Sequence, residues 1–279
     1  MRKRCSFSVK LTALITLLSV ISFIILVISG VRLYCQTQKE STVVSEKQLT
    51  GTEETTTFET ENLSDADIEN KTSNSNKKII NVPCFCQYPE LPTGCEATAA
   101  AMLLNYYGEK VTPARFASKW LTCSQDFYKI NNINYGPDPD QVFAGDPFSK
   151  SSYGCYATPV VTAINNNSKL LRAQKITNIT LEKLCQEYID KDIPVLVWAT
   201  SDMKASKSGK CWQTPDGSSF TWISGEHCLV LVGYNEKSYF FCDPQKGSIV
   251  SYNKAISEKR FIELGSQAVF VKKHTASGN

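Results

Sequence analysis

Gly225-Glu-His-Cys-Leu-Val-Leu-Val-Gly-Tyr234, then Asn-Glu-Lys, then Ser238-Tyr-Phe-Phe-Cys-Asp243-Pro244, reads as a β-hairpin. The first half is an apolar strand and the second is aromatic and stops at a proline. With the turn centred near Asn235, paired positions sum to about 470. His227 then faces Asp243 on one side of the sheet, with β-carbons about 5 Å apart. A carboxylate there can hold an imidazole in one tautomer and stabilise its protonated form. The ordinary alternative is a core histidine bonded to the backbone. The same register sets Cys228 opposite Cys242, as packed thiols or as a cross-strand disulfide. A one-residue slip would spoil both pairings.

His227 and His274 are the only histidines in 279 residues, which excludes a His-rich metal site. His274 follows two lysines near the end and reads as solvated. A histidine base therefore points to His227, and its nucleophile has to be sought elsewhere. Pro92-Thr-Gly-Cys-Glu-Ala-Thr-Ala-Ala-Ala-Met-Leu-Leu-Asn-Tyr-Tyr-Gly108 reads as a helix with both ends marked. Thr93 and Glu96 have the spacing of a capping box, the alanine-rich run favours helix, and Gly108 is a natural terminator. Cys95 falls in the first turn, where free N–H groups and the helix dipole favour a thiolate. The alternative is a small buried hydrophobe or half of a disulfide. Gln87, eight residues earlier, offers an amide donor for an oxyanion, with the N–H of Cys95 as its companion.

Glutamine, cysteine at a helix start, distant histidine on a strand, then aspartate is the papain-type order. The chain resembles one bacterial branch of that type, the bacteriocin-processing-peptidase-like group (family C-39-like). The matching residues are Val82-Pro83 with Gln87; Gly94-Cys-Glu-Ala-Thr98 with Met102-Leu-Leu-Asn-Tyr-Tyr-Gly108; Gly145-Asp-Pro147 with Tyr153-Gly-Cys-Tyr156; Gly225 to Tyr234; and Asp243-Pro244. The resemblance implies a papain-like α+β fold, with a helical part carrying Cys95 and an antiparallel sheet carrying His227 and Asp243. It implies cysteine-peptidase activity with no cofactor and no metal, acting on a peptide or protein substrate. Position by position, Cys95 would be nucleophile, His227 base and acid, Asp243 the residue orienting His227, and Gln87 an oxyanion donor. The best-known members are cytoplasmic domains of ABC exporters that trim leaders after Gly-Gly. This chain carries no ATPase segment and its domain is expected to face outward, so that coupling is not expected.

Ahead of the domain, Leu11 to Val31 is a run of 21 uncharged residues, 15 of them apolar. At about 1.5 Å per helical residue it matches a hydrocarbon core of roughly 30 Å. Four bases precede it and Arg32 follows, which keeps the amino terminus inside. Residues 1–10 are then a cytoplasmic tail, 11–31 a single membrane anchor or a cleaved signal peptide, 32–78 a disordered Ser/Thr/Glu-rich stalk, 79–272 the peptidase domain and 273–279 a tail. The domain would be extracytoplasmic, tethered to the membrane or secreted.

Thirty Lys+Arg against 27 Asp+Glu give a net charge of +3, which argues against a nucleic-acid binder. Oligomeric state is not legible. Besides Cys95 the domain holds eight cysteines (84, 86, 123, 155, 185, 211, 228 and 242), an even number compatible with disulfides of unassigned connectivity. Structural zinc is the weaker alternative, because no Cys-x-x-Cys occurs. Residues 135–152 read as a long irregular loop that shapes a cleft or merely connects. Residues 201–221 read as a second, polar loop, with Trp212 or Trp222 as candidate cleft wall. The same triad would serve a cell-wall peptide amidase or endopeptidase, and an inert Cys95 would leave a surface peptide-binding module.

Overall fold

A computed structural model describes residues 77–274. The anchor expected at 11–31, nearly all of the stalk expected at 32–78, and the last five residues lie outside the described residues. Among the described residues no helix is long and apolar enough to cross a membrane.

The chain enters with β1 (Lys78–Ile79) and reaches helix α1 (Cys95–Tyr106). Short strands β2 (Cys123–Ser124), β3 (Tyr128–Ile130), β4 (Ile133–Tyr135) and β5 (Phe143–Ala144) follow, then α2 (Ala157–Asn167) and β6 (Leu171–Thr177). Next come α3 (Leu181–Glu187), β7 (Val195–Thr200), β8 (Lys207–Gln213), β9 (Ser219–Ser224) and β10 (Glu226–Tyr234). The chain ends with β11 (Ser238–Asp243), β12 (Ser248–Asn253), α4 (Lys254–Glu263) and β13 (Gln267–Lys273).

The main sheet runs β12-β11-β10-β7-β13-β6, with β1 also paired to β10, and every pair is antiparallel. Its central strands carry continuous apolar runs because helices cover them. β7 is buried along its whole length, and β10 is buried up to its last residue. Helix α1 packs on β10 and β7, α4 also packs on β7, and α2 lies on β6 and β13. Every side chain of α1 from Cys95 to Leu104 is buried, as an alanine-rich helix that is apolar all round requires. The helix carrying Cys95 and the antiparallel sheet carrying His227 and Asp243 thus share one core.

A separate four-stranded sheet has the order β3-β4-β8-β9. It corrects the reading of 201–221 as a loop. Only 201–206 and 214–218 are irregular there, and the rest is the β8–β9 hairpin. Its hydrophilic composition follows from exposure, because most of its residues face water and Trp212 and Trp222 are the buried anchors. The turn is closed by Asp216, which accepts from Thr214 and Ser218.

The hairpin of β10 and β11 exists, but its register differs from the expected one. Val230 faces Cys242 and Leu231 faces Phe241, which carries Asp243 opposite Leu229. There are two causes. Asn235 organises a turn over 235–238 by accepting from the N–H groups of Lys237 and Ser238, which moves the turn centre forward. A bulge between Leu231 and Gly233 then adds one residue to β10. The net shift is two residues, so the faces are preserved. The expected Cys228–Cys242 pair does not form. Cys228 faces Trp198 on β7, and Cys242 is disulfide-bonded to Cys84, with Cα atoms 5.6 Å apart.

Candidate active site

Cys95 opens α1 as expected, but the cap differs. Gly94 is the N-cap and no side chain caps the helix. The Thr93 hydroxyl instead donates toward carbonyls of the 146–149 segment, the shortest contact being 3.0 Å to Ser149. Glu96 Oε1 accepts the N–H of Cys155 at 2.6 Å. The helix start is buried under the 145–155 segment, so the two side chains that would cap an exposed helix fasten that segment down. The loop expected at 135–152 is thereby fixed to the site, and Ser152 and Tyr153 line the cleft above Cys95.

His227 and Asp243 meet as diagonal neighbours on one sheet face, with Nε2 to Oδ1 at 2.7 Å, and both are buried. Burial works to raise the Asp243 carboxyl. The hydrogen bond and charge of His227 and the N–H of Gln245 outweigh it and hold the carboxyl below its ordinary range. An ionised Asp243 accepts, so Nε2 is the donor, and in the neutral ring Nδ1 carries the lone pair. Nδ1 is enclosed and has no protein partner. The Cys95 thiol is not its partner, because that sulfur is hydrogen-bonded to Glu96 Oε2, on the helix that packs against β10.

Gln87 is buried in the cleft wall. Its amide protons go to the carbonyls of Leu91 and Pro92, at 3.1 and 3.0 Å, while Oε1 has no partner. Its backbone N–H bonds Pro244, which joins the Gln87 segment to the end of β11. The cleft holds about 190 Å³ and is lined by Cys95, Gln87, Tyr153, Trp222, Glu226 and Gln245 among others. Trp222 is the wall tryptophan, and Trp212 is buried with its indole N–H on Pro137. Two wider hollows, about 760 and 780 Å³, lie along the small sheet away from Cys95, His227 and Asp243. Size does not mark this site; convergent chemistry does.

Two site residues went unassigned in the sequence reading. Gln245 had no local signal. Nor did Glu226, the first residue of β10 beside Gly225, where an acid ordinarily reaches solvent. It is buried, and with Glu96 and Cys95 it forms a cluster whose ligand-type atoms lie within 4.8 Å of one another. Gly154 makes room for them. A β-carbon there would strike Glu96 Oε1 and approach Glu226 Oε2 and Trp222 to 3.1 Å.

This pair changes the state of the nucleophile. The Cys95 thiol donates to Glu96 Oε2 at 3.2 Å. Burial, then the nearby Glu96 and Glu226, push the thiol well above its ordinary range, and the Cys228 N–H only partly opposes them. Burial and the two carboxyls thus oppose the thiolate that a helix start alone would favour. Burial likewise raises Glu96 to about 7, and burial together with Glu96 raises Glu226.

A pH effect on stability follows. A carboxyl at 4.5 when unfolded and about 7 when folded binds more protons in the folded state between those values. Its stabilisation is complete below pH 4.5 and is lost as pH rises to 7, with a ceiling of the order of 3 kcal/mol. Glu96→Gln should flatten that slope. Melting temperatures of both proteins at pH 5 and pH 8 check it, and parallel slopes would refute it.

The site can be compared with known proteins. A model of the Peptidase_C39 like family matches residues 79–269. The chain is 28% identical over 221 residues to the uncharacterized protein YvpB of Bacillus subtilis (strain 168), covering 76% of this chain and 84% of that one. It superposes with a TM-score of 0.63 and 27% identity on the crystal structure of a candidate C39-like peptidase from Bacillus anthracis, over 72% of this chain and 99% of that one. The peptidase domain of Streptococcus ComA, a bifunctional ABC transporter of a quorum-sensing pathway, aligns at a TM-score of 0.43 and 13% identity, over 70% and 100% of the two chains. With its family model spanning both the Cys95 helix and the His227–Asp243 hairpin, this chain belongs to the Peptidase_C39 like family.

Proposed function

We propose that this protein is an extracytoplasmic cysteine peptidase, tethered through residues 11–31, that uses Cys95, His227 and Asp243 as its triad. The observation that carries this reading is the buried His227–Asp243 bond, which leaves Nδ1 unpartnered on the strand that packs against the helix opened by Cys95. Family membership supports the peptidase chemistry. The Cys84–Cys242 disulfide supports an oxidising compartment.

In this reading substrate binding turns the thiol from Glu96 to His227 Nδ1, which takes its proton. Sulfur attacks the amide carbonyl, and the C–N bond breaks as His227 delivers the proton to the leaving amine. Water activated by His227 then cleaves the thioester. Asp243 stabilises the imidazolium, and the Cys95 N–H with the Gln87 amide receives the oxyanion. Gln87 must release Leu91 or Pro92 to do so.

The test is hydrolysis of a fluorogenic peptide library by the full chain, with Cys95→Ala as control and purified peptidoglycan in parallel. Cleavage of extended peptides that vanishes in Cys95→Ala is the expected result. Release of wall peptides alone would move the substrate to cell-wall amides. No turnover of either by the metal-free wild type, with Cys95 as a free thiol and the Cys84–Cys242 disulfide intact, would leave a binding module.

A further inference from the structure

Glu96, Glu226 and Cys95 put three ionisable acids around one buried point at the base of the cleft. Glu96 is fully enclosed and Glu226 is 9% exposed. The Oε1 of Glu226 is shut away from water and has no donor. Among the described residues neither carboxyl forms an ion pair with a lysine, an arginine or a histidine. A buried group of this kind is neutral only if it holds protons or a cation. Protons serve in the resting form, with the thiol hydrogen on Glu96 Oε2.

The donor set also describes a metal site. One thiolate and two carboxylates match a borderline-soft divalent ion, whereas magnesium and calcium take oxygen alone. Zinc bonds of about 2.0–2.3 Å place tetrahedral donors roughly 3.3–3.8 Å apart, so a 4.8 Å cluster closes with modest side-chain movement. Glu96 is already oriented for this, because the Cys155 N–H fixes Oε1 and directs Oε2 at the sulfur. Cys95 and Glu226 both line the cleft, which gives an ion its way in and leaves a fourth position for water.

We infer that Cys95, Glu96 and Glu226 form a zinc site which, when filled, occupies the nucleophilic sulfur and holds the peptidase inactive. As the ion enters, the thiol proton and one carboxyl proton leave to water, the second carboxyl keeping its proton so that the buried group stays neutral; no electrons move. The inhibitory half of the inference rests on the peptidase reading, and the binding half does not.

Cobalt(II) serves as the probe, because a thiolate ligand gives it a charge-transfer absorption that oxygen ligands do not. Titrating the full chain, with Cys95 as a free thiol and the Cys84–Cys242 disulfide intact, should develop that band at one equivalent, and zinc should bleach it. Cys95→Ser should abolish the band, and Glu226→Gln should weaken binding at least tenfold. Glu226→Asp, which keeps the charge but shortens the arm, should lie between. Melting curves of each variant show that it is folded.

A cobalt band in a chain that never cleaves peptide would keep the zinc site and end the peptidase reading. Cleavage unaffected by one equivalent of zinc, with no cobalt band, would end the zinc site and keep the peptidase. A band that persists in Cys95→Ser, carried by Cys155 or Cys228, or binding unchanged in Glu226→Gln, would also overturn it.

Discussion

Asp243→Ala should lower kcat by about 10²- to 10⁴-fold with little change in KM, because the loss falls on the transition state and not on substrate contact. The carboxylate does two things. It accepts the Nε2 proton at 2.7 Å, which keeps Nδ1 free as base, and it stabilises the imidazolium that forms. Removing it leaves a fully buried N–H unpaired, a cost of about 1–3 kcal/mol that ring rotation would relieve at the expense of alignment. Asp243→Asn separates the two roles. Its oxygen can still accept from His227 and from the Gln245 N–H, as in Cys-His-Asn enzymes, so orientation is kept and a smaller loss than in Asp243→Ala is expected. Rates on a cleaved peptide across pH 5 to 9 decide the matter. If Ala and Asn variants are equally impaired, orientation is not what Asp243 supplies; if neither is impaired, the triad assignment falls.

Opening the Cys84–Cys242 disulfide should cost about 2–5 kcal/mol of stability, the larger end being set by its sequence separation of 158 residues. For a domain of this size that is a fall in melting temperature of roughly 10 °C. The bond also has a local task. Cys242 precedes Asp243, and Cys84 begins the short segment that ends at Gln87, so one cross-link ties together two of the segments that build the site. Cys84→Ser should therefore melt earlier and also lose kcat/KM below its melting range. Melting curves identical with and without reductant would refute the stabilising role. Full activity in a destabilised Cys84→Ser would refute the positioning role while leaving the stability claim intact.

Much of this was legible in the sequence because the signals were local. An alanine-rich helix after Gly94, an apolar strand after Gly225 and a proline after Asp243 fix what each segment does by propensity and period alone. The presence of only two histidines narrowed the base to His227 before any geometry was known. Facing parity survived a wrong register because the turn and the bulge together shifted the pairing by two residues, and strand faces repeat every two.

What failed depended on partners distant in sequence. Thr93 and Glu96 have the spacing of a cap, yet the 145–155 segment covers the helix start and takes both. Cys242 lies near Cys228 in any plausible hairpin, but its partner arrives from 158 residues away. The state of the Cys95 sulfur was decided in the same way. The helix start by itself favours a thiolate, whereas β10 brings Glu226 beside Glu96 in a buried place, and both carboxyls oppose it. Residue types and element order followed from local propensity; proton positions, disulfide partners and the carboxyl pair came from burial and long-range contact, which only the folded chain sets.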